Sequence, residues 1–107
     1  LPRMAARGYG RIVNIASVTG PVVTIDGSSG YATAKAAVTG MTRSIALEYG
    51  RQGVTCNAIL PGWIATESAS PKELRAGKRT PVGRAGRPDE VAACALFLAS
   101  EEASYVT

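Results

Sequence analysis

Two short runs of β-branched and apolar residues, RIVNIAS at 11–17 and VTCNAIL at 54–60, constrain this fold more than any other feature of the chain. The first is apolar on both faces apart from Asn14. A strand that hides both faces belongs inside a parallel sheet, with helices over each side. Between the runs, a helical pattern spans about 30–49. Val38, Met41 and Ile45 lie on one stripe, and Ala34, Ala37 and Leu47 widen it. Gly50 and Gly53 are suited to end it. Strand, long helix, strand is a βαβ unit, so the strands are expected to run parallel. The fold class is therefore α/β, with part of a doubly wound parallel sheet.

The remaining elements follow from local signals. Residues 18–30 are rich in Gly, Ser and Pro and read as a loop. Pro61 and Gly62 close the second strand. Ser70 as N-cap, Pro71 in the first turn and Glu73 as partner in a capping box predict a short helix. A last helix is expected to start at Pro88, with Asp89 and Glu90 at its positive end. Val91, Ala92, Ala95, Leu96 and Ala99 form its expected buried stripe. LPRMAARGYG reads as the tail of an earlier element, and SEEASYVT stops at the edge of a further strand. Residues 1–107 are thus expected to be part of a single domain, truncated at both ends.

Composition narrows the chemistry. The chain is 46% hydrophobic and 19% charged, which suits a soluble globular domain. No apolar run approaches the roughly 20 residues of a membrane span, and no signal-peptide pattern is present. Histidine is absent, which excludes histidine-based triads and zinc sites with histidine ligands. Cys56 and Cys94 are expected to be small buried hydrophobes, and their scarcity fits a reducing, cytoplasmic setting. The net charge of +4 draws on Arg75, Lys78, Arg79, Arg84 and Arg87. No aromatic residues interleave with these, so they read as a solvated basic surface and not as a nucleic-acid site.

Tyr31 and Lys35, in YATAK, are either a proton-transfer pair or a tyrosine on a helix flank with an unrelated surface lysine. Four residues apart on a helix, they share a face. A phenol is a poor acid or base at neutral pH, with a reference pKa of about 10. A fixed ammonium nearby favours the phenolate, so the pair can transfer a proton. Ser17 ends the first strand, and Thr66 follows four residues after the Pro61-Gly62 turn. Ligands of open α/β sheets bind at the carboxyl ends of the strands, so one pocket can collect all of these residues.

This order of features resembles the short-chain dehydrogenase/reductase family. The resembling segments are GRIVNIAS, GYATAK, GVTCNAILPGWIAT and GRPDEVAACALFLASEEASYVT, nearly the whole chain. The Tyr–Lys spacing argues against the family's enoyl-reductase branch, and the Pro-Gly strand end against its sugar-nucleotide epimerase branch. The resemblance implies a Rossmann-like fold, with this chain as its C-terminal part, and hydride transfer between an NAD or NADP cofactor and an alcohol, ketone or aldehyde. It implies Tyr31 as general acid and base, with Lys35 tuning it and holding the cofactor ribose. Ser17, which could otherwise merely end a strand, would orient the substrate oxygen. Pro61, Gly62, Ile64 and Thr66 would line the nicotinamide side. It also implies a homo-oligomer, dimer or tetramer, built on the Tyr-bearing helix. Ala36, Ala37 and Gly40 would then let two helices approach, or else pack on the sheet.

Other residues have plainer expectations. Ser28 and Ser29 read as loop and cap residues, and Asn57 as a hydrogen-bonder in the sheet. Trp63 is either a pocket wall or a packing residue. Val22, Val23 and Ile25 are expected in the substrate wall. The family's glycine-rich phosphate loop, its catalytic Asn and the residue that separates NAD from NADP have no counterpart in this sequence. The stretch from Thr66 to Gly83 is short, which implies a small lid. The competing reading is a non-catalytic truncated chain with only an interaction surface, and the chain by itself is expected to be inactive.

Overall fold

The computed structural model describes all of residues 1–107. Its elements are α1 (Pro2–Ala6), β1 (Gly10–Ile15), α2 (Ser29–Tyr49), β2 (Val54–Ile59), α3 (Pro71–Gly77) and α4 (Pro88–Ala99). Single 3₁₀ turns follow α2 at Gly50–Gln52 and α4 at Glu101–Ala103. β1 and β2 pair in parallel, from Gly10 opposite Val54 to Ile15 opposite Ile59. The βαβ expectation holds. β1 stops two residues before the end of its apolar run: Ala16 keeps one bond to Ile59, and Ser17 begins the rim described below.

Strand alternation sends side chains to two layers. On one face Asn14 donates from Nδ2 to the Thr42 hydroxyl of α2 at 2.9 Å, and weakly to the Cys56 sulfur at 3.7 Å. On the other face Arg11 donates to the Ser100 carbonyl at the end of α4. The sheet therefore lies between α2 and α4. Burial pushes the Cys56 thiol upward, and hydrogen bonds with Asn14 and Thr42 only partly offset it. Beyond β2, Asn57 donates to the Val106 carbonyl at 2.8 Å, and the Cys56 amide donates to the Thr107 hydroxyl. Asn57 has the structural role expected of it, as a hydrogen-bonder along the strand edge.

Two helix faces differ from expectation. The residues of α2 buried against the sheet are Thr39 and Thr42, whereas Leu47 is 86% and Met41 49% exposed. The reason is local. Thr39 and Thr42 donate their hydroxyls to the carbonyls of Ala36 and Val38 at 2.7 and 2.8 Å. With the hydroxyls satisfied inside the helix, both residues can pack as small side chains. In α4 only Leu98 is fully buried. Val91 and Ala95 are half-buried, while Ala92 and Ala99 are exposed and Leu96 is 74% exposed. Cys94 is exposed, contrary to the expected buried role. A helix that is apolar around most of its circumference gives no reliable stripe from periodicity alone.

Thr55 is buried in β2, and its hydroxyl has no partner. An unpaired buried hydroxyl costs about 1–3 kcal/mol. Thr55→Val, which keeps the shape and removes the hydroxyl, is expected to stabilise the whole protein by about 1 kcal/mol. A rise in the urea midpoint at unchanged slope is the expected readout. A fall would show that the hydroxyl is paired.

Candidate active site

The rim begins where the ladder ends. The Ala16 amide still donates to the Ile59 carbonyl at 2.8 Å, and the Val18 amide to the Pro61 carbonyl at 3.1 Å. These bonds hold Ser17 beside the Pro61-Gly62 turn. Ser17 is buried, and its Oγ accepts the Thr19 amide at 3.1 Å. A hydroxyl has one proton to give and two lone pairs. The Thr19 amide occupies a lone pair and leaves the proton free for another acceptor. Thr19 was not legible as a site residue, because its contribution is a backbone N–H that any side chain would supply.

Tyr31 and Lys35 enter from the first turns of α2. Lys35 Nζ donates to the Ile15 carbonyl at 2.9 Å, at the last residue of β1. The same ammonium lies 5.7 Å from the centre of the Tyr31 ring. Lys35 thus ties the helix to the strand end while staying beside the phenol. Tyr31 is 53% exposed and open to the rim. The loop between β1 and α2 presses on the helix at Gly20. Its φ is +112°, and a Cβ there would overlap the Ala32 carbonyl. Ser28 sits at the N-cap position of α2 without capping it, and its hydroxyl instead donates to the Ile25 carbonyl.

The other wall is the segment after β2. It is clasped to the segment before α4 by a parallel bridge between Ile64 and Gly86. The Ala65 amide donates to the Gly86 carbonyl at 2.8 Å, and the Gly86 amide to the Trp63 carbonyl at 2.9 Å. Charge pairs brace the far side of this clasp. Arg84 and Glu90 pair at 2.6 Å, and Arg87 and Asp89 at 2.9 Å. The Arg84 guanidinium holds the Glu90 carboxyl down to about 2, helped by the Arg87 amide. Thr66 turns back to donate its amide to the Ile64 carbonyl, and its hydroxyl pairs with that of Ser68 at 3.2 Å. Between Thr66 and the clasp lies α3, whose capping box has both arms in place.

A cavity of about 710 Å³ opens between these walls. Ser17, Tyr31 and Lys35 line it together with Pro61, Gly62, Ile64 and Thr66. Trp63 is a cavity wall, which settles its two readings. Val23 and Ile25 line the cavity, while Val22 is 67% exposed and lies outside it. Glu73 also lines the cavity. The sequence marked it only as a capping residue, since nothing in a local signal shows which way α3 is swung.

A family model described as Enoyl-(Acyl carrier protein) reductase matches residues 1–107. Acetoacetyl-CoA reductase of Rhizobium meliloti (strain 1021) is 45% identical over 109 residues, which cover 97% of this chain and 45% of that protein. Cyclohexanol dehydrogenase of Acinetobacter sp. (strain SE19) is 44% identical over 108 residues, covering 100% of this chain and 43% of that protein. The crystal structure of 3-oxoacyl-[acyl-carrier protein] reductase from Brucella melitensis ATCC 23457 superposes with a TM-score of 0.85 at 39% identity, covering 99% of this chain and 41% of that one. The chain spans somewhat under half the length of these relatives. With every residue inside the matched region and the likeness to relatives running almost end to end, this chain belongs to the short-chain dehydrogenase/reductase family.

Proposed function

We propose that the protein interconverts a secondary alcohol and a ketone by hydride transfer with NAD or NADP, and that residues 1–107 form the C-terminal, catalytic part of its Rossmann-like domain. One observation carries this reading. A buried hydroxyl with a free proton, a phenol and an ammonium face one cavity at the carboxyl ends of two parallel strands. The relatives' names, a ketoacyl reductase and a cyclohexanol dehydrogenase among them, support the same reaction class. The Tyr31–Lys35 spacing favours carbonyl chemistry over enoyl reduction.

The cavity suits the nicotinamide half of such a cofactor. A Cβ built on Gly62 meets nothing within 4 Å, so a flat ring has room beside the strand end. Pro61, Gly62, Ile64 and Thr66 would hold that ring, and Lys35 the ribose hydroxyls. When bound, the cofactor supplies or accepts the hydride. The protein's own residues manage the oxygen. Ser17 donates its free proton as a hydrogen bond to the substrate oxygen and steadies charge developing there. Tyr31 gives its proton to that oxygen in reduction and takes it back in oxidation. Lys35 keeps positive charge beside the phenol, which stabilises the phenolate produced in reduction. We also infer a soluble cytoplasmic enzyme that self-associates through α2, where Met41 and Leu47 are exposed.

The test is oxidation of a secondary-alcohol panel by the whole protein with NAD⁺ or NADP⁺, followed by nicotinamide absorbance. Ser17→Ala is expected to lower kcat about 10²–10³-fold, the typical loss of one donor to a developing oxyanion. Cofactor affinity by fluorescence titration should change little. Parent-like turnover in Ser17→Ala would remove Ser17 from the chemistry.

A further inference from the structure

The charges around the cavity are few and unequally placed. The chain carries 12 Lys and Arg residues, yet Lys35 is the only one that lines the cavity. Its ammonium is already bonded to the Ile15 carbonyl and lies beside Tyr31. Glu73 is the only acid in the lining. Lys72 and Arg75 flank it on α3 but lie outside the cavity, and no lysine or arginine pairs with its carboxylate. The rest of the lining is uncharged: Val18, Val23, Ile25, Trp63 and Ala69 are apolar, and Thr24, Ser28 and Ser68 add hydroxyls.

Glu73 is also fixed in place. Its Oε2 accepts the Ser70 amide and the Ser70 hydroxyl, each at 2.7 Å, and its own amide donates to the Ser70 Oγ at 3.3 Å. The Ser70 hydroxyl and amide hold its carboxyl below the ordinary carboxylate range. The group is therefore a negative charge near neutral pH. An approaching carboxylate on the α3 side meets that charge, while the one cation in the lining, Lys35, is held at the Ile15 carbonyl beside Tyr31.

We propose that this cavity selects small uncharged alcohols and ketones, and that Glu73 turns away substrates bearing a carboxylate within a few bonds of the reacting carbon. The proposal rests on the alcohol–ketone reading and names its substrate class. Glu73 acts here as a specificity residue and takes no part in the proton or hydride steps. Two like charges several ångströms apart, partly screened by water, change relative rates about three- to tenfold. The effect weakens as salt rises.

A matched pair isolates charge from size. Methyl 4-hydroxycyclohexanecarboxylate is neutral, and 4-hydroxycyclohexanecarboxylate presents the same ring with a negative charge. In the whole protein with its preferred cofactor, kcat/KM for the ester is expected to exceed that for the acid by about three- to tenfold. Added KCl should narrow the ratio in the parent. Glu73→Gln, which can still accept the Ser70 amide, should narrow it about three- to tenfold and make it insensitive to salt. The salt series on the parent needs no variant, so it decides the matter even where Glu73→Gln fails to fold. Equal or better use of the acid, or a ratio that neither salt nor Glu73→Gln moves, overturns the charge selection and leaves the alcohol–ketone reading standing. Failure to oxidise either compound, or cyclohexanol, with NAD⁺ or NADP⁺ overturns the alcohol–ketone reading itself, and the charge selection with it.

Discussion

Tyr31→Phe is expected to lower turnover of the whole protein about 10²–10⁴-fold, the usual contribution of a positioned general acid or base. The substitution keeps the ring, which is half exposed at the rim and 5.7 Å from the Lys35 ammonium. It removes only the proton that the substrate oxygen would receive. Lys35 stays tied to the Ile15 carbonyl without any help from the phenol oxygen. Cofactor affinity is therefore expected to remain largely intact, and fluorescence titration beside steady-state rates separates the two effects. Activity within a few-fold of the parent would remove Tyr31 as the proton donor.

The second large effect is on stability. Gly53→Val is expected to destabilise the whole protein by about 2–4 kcal/mol, as a β-branched residue forced into left-handed backbone and into contact with a neighbouring chain segment. Gly53 has φ +76° and ends the 3₁₀ turn after α2. A Cβ there would overlap the Gly8 carbonyl. The Gly53 carbonyl also accepts the Gly10 amide at 3.1 Å, which sets the register of both strands at their first residues. Moving aside would break that bond. Chemical denaturation reads the loss directly, and a midpoint unchanged from the parent would show that the turn has another conformation available.

The sequence was most readable where a local rule decides the outcome. The capping box of Ser70 and Glu73, the start of α4 at Pro88 and the parallel pairing of the two apolar runs all depend on a few adjacent residues or on connection length. The buried faces were less readable. In α2 the threonines that bury against the sheet count as polar on any hydropathy scale until their hydroxyls are seen bonded to Ala36 and Val38. In α4 the run VAACALFLA offers apolar residues on every side, so only tertiary packing selects Leu98. Ser17, Tyr31 and Lys35 were legible because strand ends and helix starts share a rim in this topology. Glu73 was not, because its place depends on how the segment after Thr66 folds back across space, and the Thr19 amide was not, because a backbone N–H carries no side-chain signal.

The Ile64–Gly86 clasp separates two jobs along the chain. Residues 67–85 leave the rim and return to it with their ends already hydrogen-bonded together. Ser17, Tyr31 and Lys35 lie outside this excursion, while Ala69 and Glu73 lie within it. Lengthening a loop whose ends are fixed costs only about 0.6 kcal/mol per doubling. Insertions or deletions in that segment can therefore be tried by evolution, or by an engineer, without re-solving the proposed proton chemistry each time. Such a division lets one constant reaction core be offered to many different molecules by editing fewer than twenty residues.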